Sequence, residues 1–92
     1  MLSVIFTKQF QKDYKRIKNH ISYGAALRMV VDLLLKETLL PIKYKDHPLK
    51  GNMSDFRECH IKPDLLLIYK KDMPTKTVVL VRVGSHSALR LA

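Results

Sequence analysis

The hydrophobic positions in the first third of the chain follow two different repeats. Residues 2–6 form a short apolar segment rich in β-branched side chains, which predicts a strand. A helix capped by Thr7 is predicted next, because apolar residues recur at helical spacing at Phe10, Tyr14, Ile17 and Ile21. A second helix, capped by Ser22, has a wide apolar stripe made of Ala26, Leu27, Val30, Val31, Leu33 and Leu34. Pro41 ends this helical region.

Short apolar runs separated by turn residues fill the second half. Residues 41–55 hold prolines and a glycine and are predicted to be irregular. Strands are predicted over residues 56–61, 65–69 and 77–83, and the unbroken apolar run 65–69 indicates a central strand buried on both faces. The order predicts an α+β fold. The N-terminal strand and a three-strand antiparallel meander form a four-stranded sheet, with the helices on one face.

The length and the charge narrow the function classes. Ninety-two residues make one domain, residues 1–92, with 17 Lys and Arg against eight Asp and Glu, a formal charge of +9. This excess favours a nucleic acid, an anionic membrane surface or an acidic protein as partner. The longest apolar run is far too short to span a bilayer, so no membrane partner is expected. Cys59 is the single cysteine and is expected to pack in the core. Because no internal disulfide can form, the chain fits the reducing cytoplasm.

Three of the four histidines, His47, His60 and His86, lie in the second half near predicted strand ends or loops. If residues 61–63 form a three-residue hairpin loop, His60 pairs opposite Asp64. A symmetric turn at residues 72–75 then puts Arg82 opposite residues 65–66, one strand further over. A slip of one residue would turn a side chain to the other face. We expect His60, Asp64, Arg82 and His86 to converge, with His47 arriving from the irregular segment.

Such a group suits RNA cleavage without a metal or another cofactor. Histidine can take the proton of an attacking 2′-hydroxyl or give one to the leaving 5′-oxygen near neutral pH. The Arg82 guanidinium can bind the charged phosphoryl oxygens, and Asp64 can orient a histidine or take a proton. Two simpler readings stay open at this point. Single histidines in loops are often ordinary surface residues, and His60 with Asp64 and a third ligand could instead bind a metal, although no known metal-ligand spacing is present.

Three blocks of the chain together resemble one family. Residues 44–51 (YKDHPLKG) resemble the K-D-H-x-L-x-G signature of YafQ-type toxins in the RelE/ParE superfamily, and residues 56–69 and 82–89 resemble the blocks that follow it. The resemblance implies a bacterial toxin of a type II toxin–antitoxin system that cuts mRNA in the ribosomal A site. It also implies a cognate acidic antitoxin, which contacts operator DNA through its own domain, and a toxin that is monomeric when free.

Site residues carry over by position. His47, His60, Asp64 and His86 match the family's catalytic residues, with His86 as the main general acid or base. Substrate or phosphate binding falls to three basic residues, namely Arg82, Lys50 and Arg57. Departures occur at Glu58, Met53 and the C-terminal Arg90-Leu91-Ala92, which stands where many relatives have an aromatic residue.

Two other functions remain open from the sequence. One is a non-enzymatic toxin on the same scaffold, like ParE relatives that act on DNA gyrase, although gyrase-directed members lack such a histidine cluster. The other is a basic module that binds RNA or an acidic protein, with incidental histidines.

Overall fold

The N-terminal half follows the predicted order closely. The computed structural model describes residues 1–89, with β1 at Ser3–Phe6, α1 at Lys8–Ile17 and α2 at Ile21–Leu35. As predicted, the Thr7 hydroxyl caps α1, accepting a hydrogen bond of 3.0 Å from the Phe10 N–H. Two predictions are wrong. Ile21 does not continue the apolar stripe of α1 but begins α2 with 90% of its surface exposed, and His20 rather than Ser22 is the N-cap residue.

The second half contains the predicted meander and two shorter elements. The meander strands are β3 (Arg57–Lys62), β4 (Leu65–Asp72) and β5 (Thr77–Gly84), followed by a single-turn helix, α3 (His86–Leu89). Within the segment predicted to be irregular, two 3-10 turns at Ile42–Tyr44 and Gly51–Met53 flank a two-residue strand, β2 (His47–Pro48). Two residues are too few for an alternating pattern to be visible in the sequence.

The predicted four-stranded sheet is therefore incomplete. The sheet has five strands in the order β1-β5-β4-β3-β2, and β1 runs parallel to β5, so the sheet is mixed. β2 supplies the fifth strand by pairing with the start of β3. The helices are also not all on one face, because α1 and α2 pack on one side while Leu89 of α3 packs on the other.

β4 divides the core into two parts. Its residues 65–69 are at most 1% exposed, which confirms the prediction of a central strand buried on both faces. Leu65, Leu67 and Tyr69 belong to the larger cluster beneath α1 and α2, whereas Leu66 and Ile68 form a smaller cluster with Leu89 on the opposite face. This opposite face, floored by Leu66 and Ile68, is called the open face below.

Helix α1 completes the edge of the sheet where β1 stops. β1 pairs with β5 only up to Leu80. Beyond that point the Thr7 hydroxyl donates to the Val81 carbonyl at 2.8 Å, and the Val83 N–H donates to the Asp13 carboxylate at 3.2 Å. These bonds satisfy backbone groups that no strand reaches. In the described part of the chain, no helix is long and apolar enough to cross a membrane.

Candidate active site

Strand register places three of the seven candidate residues, namely His47, His60 and Arg82, on the open face in two neighbouring rows. The first row crosses four strands and consists of His47, Glu58, Ile68 and Arg82. The second row consists of His60, Leu66 and Gly84. Residues directly opposite each other on paired strands project to the same face. The first row spans three inter-strand spacings, about 14 Å at ~4.8 Å each, so the polar residues line a surface and not a single point.

The three histidines of the second half lie side by side. The ring centres of His47 and His60 are 6.3 Å apart, and those of His60 and His86 are 5.8 Å apart. His86 reaches this group because it begins α3, which folds back over the open face as Leu89 packs on Leu66 and Ile68. Of the residues predicted to converge, the structure brings the three histidines together, whereas Asp64 and Arg82 lie outside this group.

Gly84 permits this close return of the chain. A Cβ atom at position 84 would lie 3.3 Å from Cδ2 of Leu89 and 3.6 Å from Cβ of Ala88. The first distance is tighter than ordinary van der Waals contact, so with a side chain here Leu89 would have to move by a few tenths of an ångström. The absence of a side chain at Gly84 thus helps to fix the position of His86.

Glu58 is a site residue that the sequence reasoning missed. The residue is only 7% exposed, and its Oε1 lies 3.5 Å from Nε2 of His47 and 3.8 Å from Nε2 of His60. Glu58 therefore places a carboxylate between the two imidazoles, and its charge acts to raise the pKa of His60. Its position two residues before His60 on one strand was the available signal, because such residues share a face of the sheet.

His47 is held in one orientation by the loop before it. Its Nδ1 lies 2.7 Å from the carbonyl oxygen of Lys45. A carbonyl oxygen can only accept, so Nδ1 carries the proton and Nε2 is the atom turned towards Glu58. The neighbouring Asp46 points to the other face of the sheet, where it anchors the loop.

That anchor involves Arg57. Its Nε and Nη2 donate to the Asp46 carboxylate at 3.1 and 3.0 Å, and the Tyr69 hydroxyl donates to the same group at 2.6 Å. Burial and the hydrogen bond to Asp46 raise the pKa of the Tyr69 hydroxyl, which keeps it a donor. Arg57 alternates with Glu58 along β3 and lies opposite Tyr69, so the structure does not bring its guanidinium to the histidines.

Cys59 also points away from the open face. Its side chain is fully buried in the larger core cluster, as predicted, and burial raises the pKa of the thiol to about 12. A thiolate is therefore unavailable at neutral pH.

His60 is biased towards its neutral form. Burial lowers the pKa of His60, and although the Glu58 carboxylate acts in the opposite direction, the charges of Lys45, His86 and His47 lower it further. An unprotonated imidazole beside groups that can carry protons is the arrangement needed for a base next to an acid.

Arg82 lies at the far side of the open face, two strands from His60, and its side chain is held by α1. Its Nε and Nη2 donate to the Asp13 carboxylate at 2.8 and 3.1 Å. Burial raises the pKa of Asp13, but hydrogen bonds from Arg82, the Val83 N–H and Gln9 outweigh it, so the pKa of Asp13 is lowered overall. The outer edge of the guanidinium remains turned away from Asp13, and 26% of the side chain is exposed.

The predicted register of both hairpins is wrong in detail. His60 lies opposite Leu66 and not opposite Asp64, because β3 continues to Lys62 and the turn has two residues. Asp64 is exposed at the tip of that turn, in a shallow groove shared with Ser85 and Ala88. Arg82 pairs with Ile68, further along β4 than residues 65–66.

Lys50 is exposed and directly precedes the second 3-10 turn, two residues after β2 ends at Pro48. The departure at Arg90-Leu91-Ala92 lies outside the residues that the structure describes.

Comparison with known proteins decides the family. A sequence model described as the bacterial toxin of a type II toxin–antitoxin system, YafQ, matches residues 2–91. The chain belongs to the YafQ family. The resemblance inferred from the three sequence blocks is thereby confirmed, and the chain is a toxin of the type II toxin–antitoxin class.

Individual relatives and solved structures match along almost the whole chain. The mRNA interferase toxin YafQ of Escherichia coli K12 is 38% identical over 85 residues, covering 91% of this chain and 90% of the relative. A metal-bound toxin from Helicobacter pylori is 51% identical with a TM-score of 0.86, covering 97% and 99% of the two chains. YafQ in the E. coli DinJ–YafQ complex is 36% identical with a TM-score of 0.85, covering 97% and 98%. These likenesses extend to the mixed α+β fold described above.

Proposed function

We propose that this YafQ-family chain is an endoribonuclease that cleaves mRNA on the ribosome through acid–base catalysis by its histidines, with the 2′-hydroxyl as nucleophile and no metal ion. The observation that carries the proposal is the line of His47, His60 and His86 across the open face, with Arg82 beyond it. The name mRNA interferase, borne by a relative 38% identical to this chain, supports the same activity.

The two proton transfers fall to neighbouring rings. His60, neutral because burial lowers its pKa, takes the proton of the 2′-hydroxyl as the 2′-oxygen attacks phosphorus. His86, 5.8 Å away between ring centres, gives a proton to the 5′-oxygen as the P–O5′ bond breaks. The products are a 2′,3′-cyclic phosphate and a free 5′-hydroxyl. Two rings on opposite sides of one phosphate can serve the attacking and the leaving oxygen.

The remaining residues bind the RNA or balance the charges that form during the reaction. The outer edge of the Arg82 guanidinium binds the phosphoryl oxygens, while its other edge is occupied by Asp13. Glu58 stabilises the imidazolium of His47 or His60 whenever one forms. Asp64 and Lys50, both exposed, contact the message outside the central group. Arg57 serves indirectly, through Asp46 and the loop that carries His47.

The partners follow from charge and family. A formal charge of +9 favours the RNA-rich ribosome and an acidic antitoxin, and an E. coli relative is seen in complex with the DinJ antitoxin. In this proposal the toxin is a cytoplasmic monomer when free, and it reaches operator DNA only through its antitoxin. The proposed proton transfers need no metal ion, so chelators should leave cleavage unchanged.

The test is cleavage of a programmed ribosome complex by the purified protein. We expect cuts in ribosome-bound mRNA, little cleavage of the same RNA alone, and no cleavage by a folded His86→Ala variant. His20→Ala is the matched control, since His20 is an exposed histidine stacked on Tyr23 at the start of α2 and outside the row. Full activity and growth arrest by a folded His86→Ala protein would refute the role of His86. Equal loss in His20→Ala would show that the effect is not specific to the row.

A further inference from the structure

A groove with a basic rim lies beside the row of His47, His60 and His86. A groove of about 740 Å³ runs between the 3-10 turn at Ile42–Tyr44, helix α2 and the β3–β4 hairpin, and one of its walls is His60. Its residues on α2 are small or flexible, and the opposite rim carries three basic side chains, namely Lys43, Lys45 and Lys62. In the part of the chain that the structure describes, no carboxylate lines this groove. No described residue that lines the groove therefore balances the positive charge of these lysines.

Lys45 connects the groove to the histidines in three ways. Its carbonyl oxygen holds Nδ1 of His47 at 2.7 Å, and its side chain lines the groove together with His60. Its positive charge also contributes to the lowered pKa of His60, as expected for a nearby cation. A single residue thus touches both the loop that orients His47 and the surface next to His60.

The backbone of Lys45 is strained. It adopts φ 50° and ψ 41°, the left-handed region that favours glycine and asparagine. A side chain that is not Gly or Asn costs on the order of 1 kcal/mol in this conformation.

We propose that this groove binds the sugar–phosphate backbone of the single-stranded RNA that flanks the cleaved bond, and that Lys45 contacts the phosphate next to the one held by the histidines. The inference rests on the proposed function and extends it with a second binding subsite. A phosphate in the groove would meet ammonium groups on its rim and remain continuous with the nucleotide at His60. An acidic peptide could satisfy the charge, but it would have no reason to continue onto a catalytic histidine.

The chain offers a matched pair of variants for the test. Lys45→Asn relieves the strain, keeps the backbone carbonyl that holds His47 and removes one positive charge. Lys76→Asn also relieves backbone strain, at φ 53°, and also removes one positive charge. Lys76 lies in the exposed turn between β4 and β5, away from the groove. Both variants lose the same charge and the same strain, so a difference between them reports on location.

The measurement is binding of a short single-stranded 2′-O-methyl oligoribonucleotide, which cannot be cleaved, by fluorescence anisotropy over a range of salt concentrations. For Lys45→Asn we expect affinity to fall about tenfold, as for one lost hydrogen bond to a charged group. The slope of log K against log salt should become shallower by about 0.7, one phosphate contact to a single strand. Lys76→Asn should bind like the wild type, and thermal unfolding should show neither variant to be less stable.

Two results would overturn the subsite. One is equal binding of the oligonucleotide by the wild type and Lys45→Asn. The other is an equal loss of affinity in Lys45→Asn and Lys76→Asn. A wild type that binds RNA through Lys45 but cuts no ribosome-bound mRNA would support the subsite and refute the nuclease. If the wild type cuts ribosome-bound mRNA and Lys45→Asn binds RNA as well as the wild type does, the nuclease is supported and the subsite is refuted.

Discussion

The contact between Asp13 and Arg82 gives the sharpest prediction about stability. Asp13 is only 3% exposed, and its carboxylate accepts four hydrogen bonds, from Nε and Nη2 of Arg82, the Val83 N–H and the Gln9 amide. The bonds join α1 to the end of β5, 69 or 70 residues away in sequence. Asp13→Ala should therefore destabilise the fold and release the guanidinium that the proposed mechanism needs.

The magnitude follows from the groups left behind. A buried N–H without a partner costs about 1–3 kcal/mol, which is the fate of the Val83 N–H. Breaking a fully buried ion pair costs about 3–5 kcal/mol, but Arg82 is 26% exposed and can turn partly to water, so its share is smaller. We expect a loss of about 3 kcal/mol in the free energy of unfolding for Asp13→Ala. For a domain of this size that corresponds to a fall in Tm of roughly 12–24 °C.

Urea denaturation of the wild type and variant at pH 7 provides the assay. Asp32→Ala is the control, because Asp32 and Lys36 form an exposed ion pair within α2 that should contribute less than about 0.5 kcal/mol. Because the folded-state pKa of Asp13 is lowered, its contribution is full above the unfolded value of about 3.9 and disappears as the pH falls through the folded value. An Asp13→Ala protein as stable as Asp32→Ala, or a difference that grows on acidification, would refute this reasoning.

Three further predictions concern the open face. Glu58→Gln should reduce cleavage of ribosome-bound mRNA about 10-fold or more without unfolding the chain, because the imidazolium forms lose their counter-charge; unchanged rates would contradict this. Gly84→Ala should displace Leu89 of α3 and lower kcat, with a stability loss of about 1 kcal/mol, and unchanged NMR shifts of His86 would argue against it. Wild-type cleavage should fall on acidification, at a lower pH than for an ordinary histidine, because burial lowers the pKa of His60; a rate that rises on acidification would exclude His60 as the base.

Local signals in the sequence explain what could be predicted. The run of five apolar residues at 65–69 is long enough to identify a strand buried on both faces, and Thr7 before a helical repeat identifies a cap. The alternation of side chains along β3 was sufficient to predict that Cys59 packs in the core. The nearness of His60 to His86 followed from the meander, because β3 and β5 run in the same direction and end at the same side of the sheet, whereas His47 reaches the row on β2, a strand that was not predicted.

What escaped prediction depends on single-residue register or on distant contacts. Whether Pro63 and Asp64 form a two-residue turn or share a longer loop changes which residue faces His60, and both choices satisfy the same hydrophobic pattern. The turn between β4 and β5 spans residues 73–76 instead of 72–75, and together with the irregularity between the Ile68 and Tyr69 pairs this moves Arg82 along β4 to a position opposite Ile68. Asp13 stands among basic residues of α1, and nothing nearby in the sequence indicates that its partner is on β5.

The chemical ends of the cleaved message test the central claim most directly. Purified wild-type protein, incubated with mRNA on programmed ribosomes, should leave a 2′,3′-cyclic phosphate on the upstream fragment and a 5′-hydroxyl on the downstream fragment. The His86→Ala variant should leave the message intact. Fragments that carry a 3′-hydroxyl and a 5′-phosphate, or an uncut message with the folded wild-type protein, would contradict attack by the 2′-hydroxyl on the histidine row.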